Sequence, residues 1–353
     1  MSLREWHVDV GAVTMRGHRN SDEDALIVLA GIPSHGNHRI QALFDGHGGD
    51  QVSRFLASNL QSTLAEFADL SKPTLGYLGV ALDDKIRREG IGHAGSTGVI
   101  VIIESVQTPR TVLTRGREVV DTPDARTLRQ DHRGDRLPLE TTELGSVQAP
   151  FLVTVLNTGD SRAMLVTNSD YFEMTKDHSP LDPQEKRRIE QAGYSVTNDH
   201  GVARIQHTVA MSRAYGDLSL KVRASGKPSA MIPDPDIRQF YASYGDTVVL
   251  FCDGVTEPLT VDWPNVAAGV RRLFSNGNNP TAVAAGLADM AFEEGSGDNI
   301  SVIVTQFHGE HPSKPTATLR ACAVVQGSSH TSREENCSDR FDTLTNSFYV
   351  PLF

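Results

Sequence analysis

Phe44-Asp45-Gly46-His47-Gly48-Gly49 stands between two hydrophobic periodicities. Before it, Ile40-Gln41-Ala42-Leu43-Phe44 reads as a strand. After it, from Asp50, the residues Val52, Phe55, Leu56, Leu60 and Leu64 fall on one face of a helix. A carboxylate, an imidazole and three glycines thus sit where a buried strand ends. Glycine lets the backbone approach an ion or a phosphate closely and take positive φ. The carboxylate is a hard ligand for a divalent cation, and the histidine titrates near neutrality and can pass a proton. Taken alone, the run is equally compatible with a glycine-rich turn carrying a surface Asp and His.

Upstream, Val8 to Val13 alternates as a first strand. Arg16-Gly17-His18-Arg19-Asn20-Ser21-Asp22-Glu23-Asp24-Ala25 then precedes an apolar strand, Leu26 to Ala30. That acidic run is either a solvated turn or a second supplier of ligands, with an arginine whose planar fork suits phosphate. Downstream, a helix over Leu75 to Arg88 leads through Gly92–Gly98 to the strand Val99–Ile103, which predicts helices layered on a sheet. Residues 107–150 are charged and poor in apolar side chains, with Arg126, Arg129, Arg133 and Arg136 set among Asp124, Asp131 and Asp135. This segment reads as a mobile surface insertion, and a solvated loop is preferred to a docking element.

Apolar patterning resumes at Phe151–Leu156 and continues through Asn157-Thr158-Gly159-Asp160-Ser161-Arg162 into Ala163–Val166, read as a hairpin with an acidic turn. A helix follows, with Asp182 as N-cap, Pro183 in its first turn, Glu185 completing a capping box and Gly193 ending it. The strand Thr247–Cys252 also ends in Asp-Gly, at Asp253-Gly254. Helices are expected over Val266–Phe274 and from Asn279-Pro280, the second with Val283, Leu287 and Met290 inward. Asp298-Asn299 opens a last strand, Ile300–Phe307, and a polar tail begins near 309.

The 353 residues, 39% hydrophobic with 30 glycines, suit a globular chain. A net charge of −11 argues against nucleic-acid or acidic-membrane partners. Cys252, Cys322 and Cys337 show neither metal-ligand spacing nor a paired disulfide framework, which predicts a reducing intracellular setting, cytoplasm or nucleus. The N-terminus has no apolar signal core and no Gly at position 2, and no run is long enough for a membrane span.

Asp45, Asp253 and Asp298 thus stand at the ends of apolar strands, with Asp160 at a turn and Glu23 and Asp24 before a strand. Converging carboxylates repel one another unless cations or protons neutralise them. An all-oxygen set without Cys pairs selects Mg²⁺ or Mn²⁺ over zinc. Two such ions polarise a phosphoryl group and generate hydroxide. Arg19 is placed to hold the phosphate and His47 to protonate the leaving oxygen.

In this order the chain resembles the metal-dependent Ser/Thr protein phosphatases of type 2C, the PPM family. The matching pieces are Arg19–Ala25, Phe44–Gly49, Gly95-Ser96-Thr97, Thr158–Arg162, Asp177-His178, Met211–Asp217, Asp253-Gly254 and Asp298-Asn299, within residues 8–307. The resemblance implies an α+β fold, a four-layer α-β-β-α sandwich of two antiparallel sheets flanked by helices. It implies a phosphatase domain over 1–308, a tail over 309–353, and a two-metal cleft. Asp45 would bridge two Mg²⁺ or Mn²⁺ ions and the Gly46 carbonyl would bind one. Asp253 and Asp298 would hold the first ion and Glu23 the second, with Asp24 and Asn299 supporting them. Arg19 would bind the substrate phosphate, a hydroxide held between the ions would attack it, and His47 would be the general acid. Asp160 matches a ligand of a weaker third ion. Glu257 stands where the family often has Asp, and Gln206-His207 where it commonly has Asn-Gly. The first departure puts a third ion in doubt, and the second alters the cleft wall near a flap at about 218–235. The implied activity is hydrolysis of phosphoserine and phosphothreonine in proteins. The alternatives are a catalytically silent scaffold and a small-molecule phosphatase.

Overall fold

The computed structural model describes residues 7–36, 38–106, 110–120, 143–147, 149–199, 201–222, 227–308, 317–322 and 341–342. Two large sheets carry the chain. One runs in the order Tyr171–Glu173, Arg162–Val166, Thr247–Phe251, Ile300–His308, His7–Met15, Ala317–Cys322, Phe341–Asp342. The other runs Ala25–Leu29, His38–Phe44, Gly98–Ser105, Phe151–Thr158, Asp236–Ala242, Glu118–Val120, Arg110–Arg115, Glu143–Val147.

Period-two alternation explains the layering, because successive side chains of a strand point to opposite faces. Val8, Val10 and Ala12 of the first sheet join Leu43, Val99, Val101, Val153 and Val155 of the second in one buried cluster between the sheets. The alternate residues face outward under helices. Val13, Met15, Val249, Phe251, Val302 and Val304 pack with the helices Trp263–Ser275 and Pro280–Glu293. Ile27, Ile40, Ala42, Phe44 and Ile100 pack with Gln51–Ala65 and Leu78–Glu89. The expected α-β-β-α order of layers follows.

Three details depart from expectation. Among the described strands of the two large sheets pairing is antiparallel except between His7–Met15 and Ala317–Cys322, where it is parallel, so part of the expected tail extends the first sheet. The expected hairpin across Asn157–Arg162 is instead a crossover: Phe151–Thr158 lies in the second sheet and Arg162–Val166 in the first. The turn between them is tight because Gly159 takes φ 111°. Finally, the ends of the expected insertion are strands, and Glu118 receives a two-pronged ion pair from Arg238 at 2.8 and 2.9 Å. The charged middle, 121–142, and most of the tail lie outside the described residues.

Asp182 caps its helix as expected, accepting from Gln184 N at 3.0 Å, and Asn279 accepts from Ala282 N at 2.9 Å. Glu185 does not complete a capping box. It is buried and bonds Arg188, Arg213 and Ser212. Two arginines and a hydroxyl outcompete the single helix N–H. No described helix is long and apolar enough to cross a membrane.

Candidate active site

Asp45 follows the strand His38–Phe44, and its carbonyl accepts from Thr97 N at 2.8 Å. Gly46 comes next because nothing larger fits: a Cβ there would lie 2.3 Å from the Glu23 carbonyl oxygen. That close approach joins the two acidic runs. Glu23 is fixed from three sides: its Oε2 accepts from Gly49 N at 3.0 Å, its carbonyl accepts from Ser53 Oγ at 2.5 Å, and its N–H donates to Asn299 Oδ1 at 3.0 Å. Asn299 also donates to the carbonyls of Arg16 and Ser21 at 2.8 and 2.9 Å, and so pins the loop that carries Arg19. Gly254 has no room for a side chain either, as its Cβ would meet the Asn299 carbonyl at 2.0 Å. The Asp253 and Asp298 turns are therefore locked together.

The acids interact. Burial pushes Asp45 well above the usual carboxylate range, and Asp24, Asp253, Asp160 and Asp298 push it further. Burial and Asp298 raise Asp253 to about 6, against a hydrogen bond from Asp45. Burial, Asp253 and Asp177 raise Asp160 to about 7. Burial also raises Asp298, although Asn299 N and Arg19 Nη2 each donate to it at 2.7 Å. Asp24 is raised well above its usual range by burial and by Asp22, and both its oxygens are buried without a donor. Asp160 Oδ1 is likewise buried without a partner.

Among the described residues no three His, Cys, Asp or Glu side chains stand close enough together to ligate one ion as placed. The donor chemistry nevertheless fits a divalent cation. The oxygens are hard, Arg19 and Arg162 offset only part of the negative charge, and Asp24 and Asp160 carry acceptors without a donor. Glu257 is committed elsewhere, its Oε2 accepting from Ser296 Oγ and Gly297 N at 3.1 and 2.6 Å.

These shifts set a pH dependence. A carboxyl whose folded pKa is raised binds more protons folded than unfolded, so its contribution to stability falls as pH rises between the two values. With chelator present, the melting temperature should fall from pH 5 to pH 8 as Asp253 and Asp160 ionise at about 6 and 7. Mn²⁺ should reverse the loss, and by more at pH 8, where protons do not compete. A scanning-fluorimetry series in which Mn²⁺ shifts melting equally at both pH values would contradict this.

Two partnerships between side chains of the matched motifs were not anticipated. Asp217, from the segment after Ala214, meets His47 Nε2 at 2.7 Å. Arg162 is held two-pronged by Asp177 at 3.0 and 2.6 Å, bonds Thr256 and lies over Trp263, which places its charge beside Asp160 and Asp253. Neither partnership has a local sequence signal, because the partners are far apart in the chain.

Gln206 and His207 are the central residues of a tight turn closed by Thr208 N to Ile205 O, with φ of 45° and 60°. Two positive φ values in succession define a turn that favours Asn-Gly. His207 is held there by Asp199 at 2.8 Å and by Thr197 Oγ1 at 3.2 Å. Replacing the pair with Asn-Gly should stabilise the protein by about 1–2 kcal/mol in urea unfolding. A loss of stability would mean that the His207–Asp199 contact outweighs the strain.

The family model described as Protein phosphatase 2C matches residues 146–300. Human Protein phosphatase 1B is 28% identical over 302 residues, covering 84% of this chain, and the chain spans 57% of that protein. Human Protein phosphatase 1A is 27% identical over 315 residues, covering 88% of this chain and 73% of that protein. The crystal structure of a phosphatase from a pathogenic strain of Toxoplasma gondii superposes with a TM-score of 0.76 at 34% identity, covering 89% of this chain and 96% of the other.

Proposed function

We propose that this chain, which belongs to the protein phosphatase 2C family, hydrolyses phosphoserine and phosphothreonine esters of proteins with the help of Mg²⁺ or Mn²⁺. The observation that carries the reading is the mutually repelling group of Asp45, Asp253, Asp298 and Asp160 beside both Arg19 and His47. Asp45, the Gly46 carbonyl, Asp253 and Asp298, with Glu23, are the residues that would hold two ions, and Asp160 is the candidate for a third. When bound, the ions supply Lewis-acid polarisation of the phosphoryl oxygens and acidify water. Asn299 keeps the loop in place around them, and Asp24 adds a buried carboxyl beside Asp45.

Arg19 binds the phosphate through its planar fork. It extends from the surface and pairs with Asp298. Its loop is steadied by His18, which stacks on Phe292 with ring centroids 4.8 Å apart. His47 protonates the departing oxygen. Burial alone would lower its pKa, but the Asp217 carboxylate, with Asp160 and Glu23, outweighs burial and favours the imidazolium.

Arg19→Ala carries two expected outcomes. KM for a phosphopeptide should rise roughly 10- to 100-fold, the scale of a charged hydrogen-bonded contact. Mn²⁺ should bind more tightly in calorimetry, because Asp298 loses a competing cation. Weaker Mn²⁺ binding would show instead that Arg19 helps to shape the ion site.

Substrate class is tested by comparing a phosphothreonine peptide, p-nitrophenyl phosphate and nucleoside monophosphates with Mn²⁺ present. Peptide turnover at the highest kcat/KM supports a protein phosphatase. Preference for a nucleotide would replace it with a small-molecule enzyme, and no turnover despite bound Mn²⁺ would favour a scaffold.

A further inference from the structure

Building on that reading of the site, we propose that Asp217 is the positioning residue for His47: it accepts the hydrogen bond from Nε2 and leaves Nδ1 as the atom that gives its proton to the departing oxygen. His47 Nε2 and Asp217 Oδ2 are 2.7 Å apart, and Asp217 is buried at 7% exposure. A carboxylate only accepts, so Nε2 carries a hydrogen. His47 Nδ1 is buried without a partner. In the imidazolium the second hydrogen sits on Nδ1, the ring nitrogen that the protein leaves uncommitted. Fixing the tautomer through one nitrogen decides what the other can do.

The surrounding backbone is built for this contact. Gly46–His47, Gly95–Ser96 and Tyr215–Gly216 form a three-stranded sheet that brings position 217 to position 47 across 170 residues of chain. Asp217 itself has φ 46°, a conformation that Asp and Asn tolerate better than most residues. Its N–H donates to the Ala94 carbonyl at 3.0 Å, and Gly216 N donates to Asp83 Oδ1 at 2.9 Å, so the strained residue is held from both sides. Gly95 lies against the pair: a Cβ there would come within 2.1 Å of Asp217 Oδ2 and 2.3 Å of His47 Nε2. A glycine at 95 thus makes room for the two side chains to meet.

The step balances simply. Water supplies the oxygen that phosphorus gains. The bond from phosphorus to the serine or threonine oxygen breaks, its electron pair stays on that oxygen, and the oxygen takes the Nδ1 proton. Asp217 keeps its own hydrogen bond throughout and exchanges no proton.

The test uses the full chain loaded with Mn²⁺, as wild type, Asp217→Asn and Gly95→Ala. Asn tolerates the same backbone conformation, and Ala at 95 pushes the pair apart while removing neither side chain. In both variants kcat for a phosphothreonine peptide should fall about 10²-fold, the scale of general acid catalysis, with little change in KM. p-Nitrophenyl phosphate, whose leaving group needs no proton, should be slowed far less. Equal slowing of both substrates would assign Asp217 a purely structural role and overturn the inference. Long-range ¹H–¹⁵N spectra of the neutral His47 ring should show the hydrogen on Nε2, and finding it on Nδ1 in the wild type would also overturn it. Wild type that binds Mn²⁺ yet turns over neither substrate would defeat the phosphatase reading, and this inference with it.

Discussion

Asp45→Asn is expected to lower kcat by about 10³-fold or more, the cost of losing one preorganised charged contact in a buried site. The same substitution should make the protein harder to unfold once it is stripped of metal. Asp45 is buried, and its carboxyl is raised by four other acids, Asp24, Asp253, Asp160 and Asp298. Removing one of these charges relieves repulsion that the rest of the fold has to overcome. In chelator at pH 8 the gain should be a few degrees, since about 1 kcal/mol shifts melting by roughly 2–4 °C in a domain of this kind. At pH 5, below the values of about 6 and 7 for Asp253 and Asp160, the gain should shrink. Kinetics and melting curves on one variant therefore test both halves. A variant that loses activity and stability together would indicate that Asp45 is primarily a structural residue.

Lys221→Ala should be the most destabilising single change outside the hydrophobic core. Lys221 Nζ bonds Asp83 Oδ2 and the Ala214 carbonyl, and both side chains are nearly inaccessible to solvent. Burial raises the Asp83 pKa despite its partner, and burial lowers that of Lys221 despite its partner. The pair therefore barely repays its desolvation, and removing one member strands a buried carboxylate at a cost of about 3–5 kcal/mol. Asp83 would then bind a proton more tightly folded than unfolded, so the stability of the variant should fall as pH rises. Replacing both residues, as Asp83→Leu with Lys221→Met, should recover most of the loss in urea unfolding. A double variant as unstable as Lys221→Ala would show that the two bonds from Asp83 and Lys221 to the backbone matter more than the charge.

Much of the scaffold was legible in the sequence because it rests on local periodicity. Val52, Leu56, Leu60 and Leu64 are all fully buried on one helix face, as their spacing predicts, and the caps at Asp182 and Asn279 form as drawn. Each acid singled out at a strand end does stand at one, since a buried strand that ends in Asp-Gly leaves its mark in five or six residues. Long-range geometry left no such mark. Whether Asn157–Arg162 turns back or crosses to the other sheet depends on which strand accepts Ala163–Val166, and that is set by Thr247–Phe251, some 80 residues on. The capping role read for Glu185 failed for the same reason, because Arg213 comes from beyond the helix. Asp217 carries no motif of its own that declares His47 as its partner. The requirement for glycine at Gly46 and Gly95 becomes physical only when the facing atoms, the Glu23 carbonyl and the His47–Asp217 pair, are known.

The most direct measurement is phosphate release from a phosphothreonine peptide by the full chain, first in chelator and then through a Mn²⁺ titration, beside Asp253→Asn. A two-metal phosphatase shows no turnover in chelator, saturable turnover as Mn²⁺ is added, and almost none in the variant at the same Mn²⁺ concentrations. Turnover that persists in chelator, or that survives loss of the Asp253 carboxylate, would contradict that assignment.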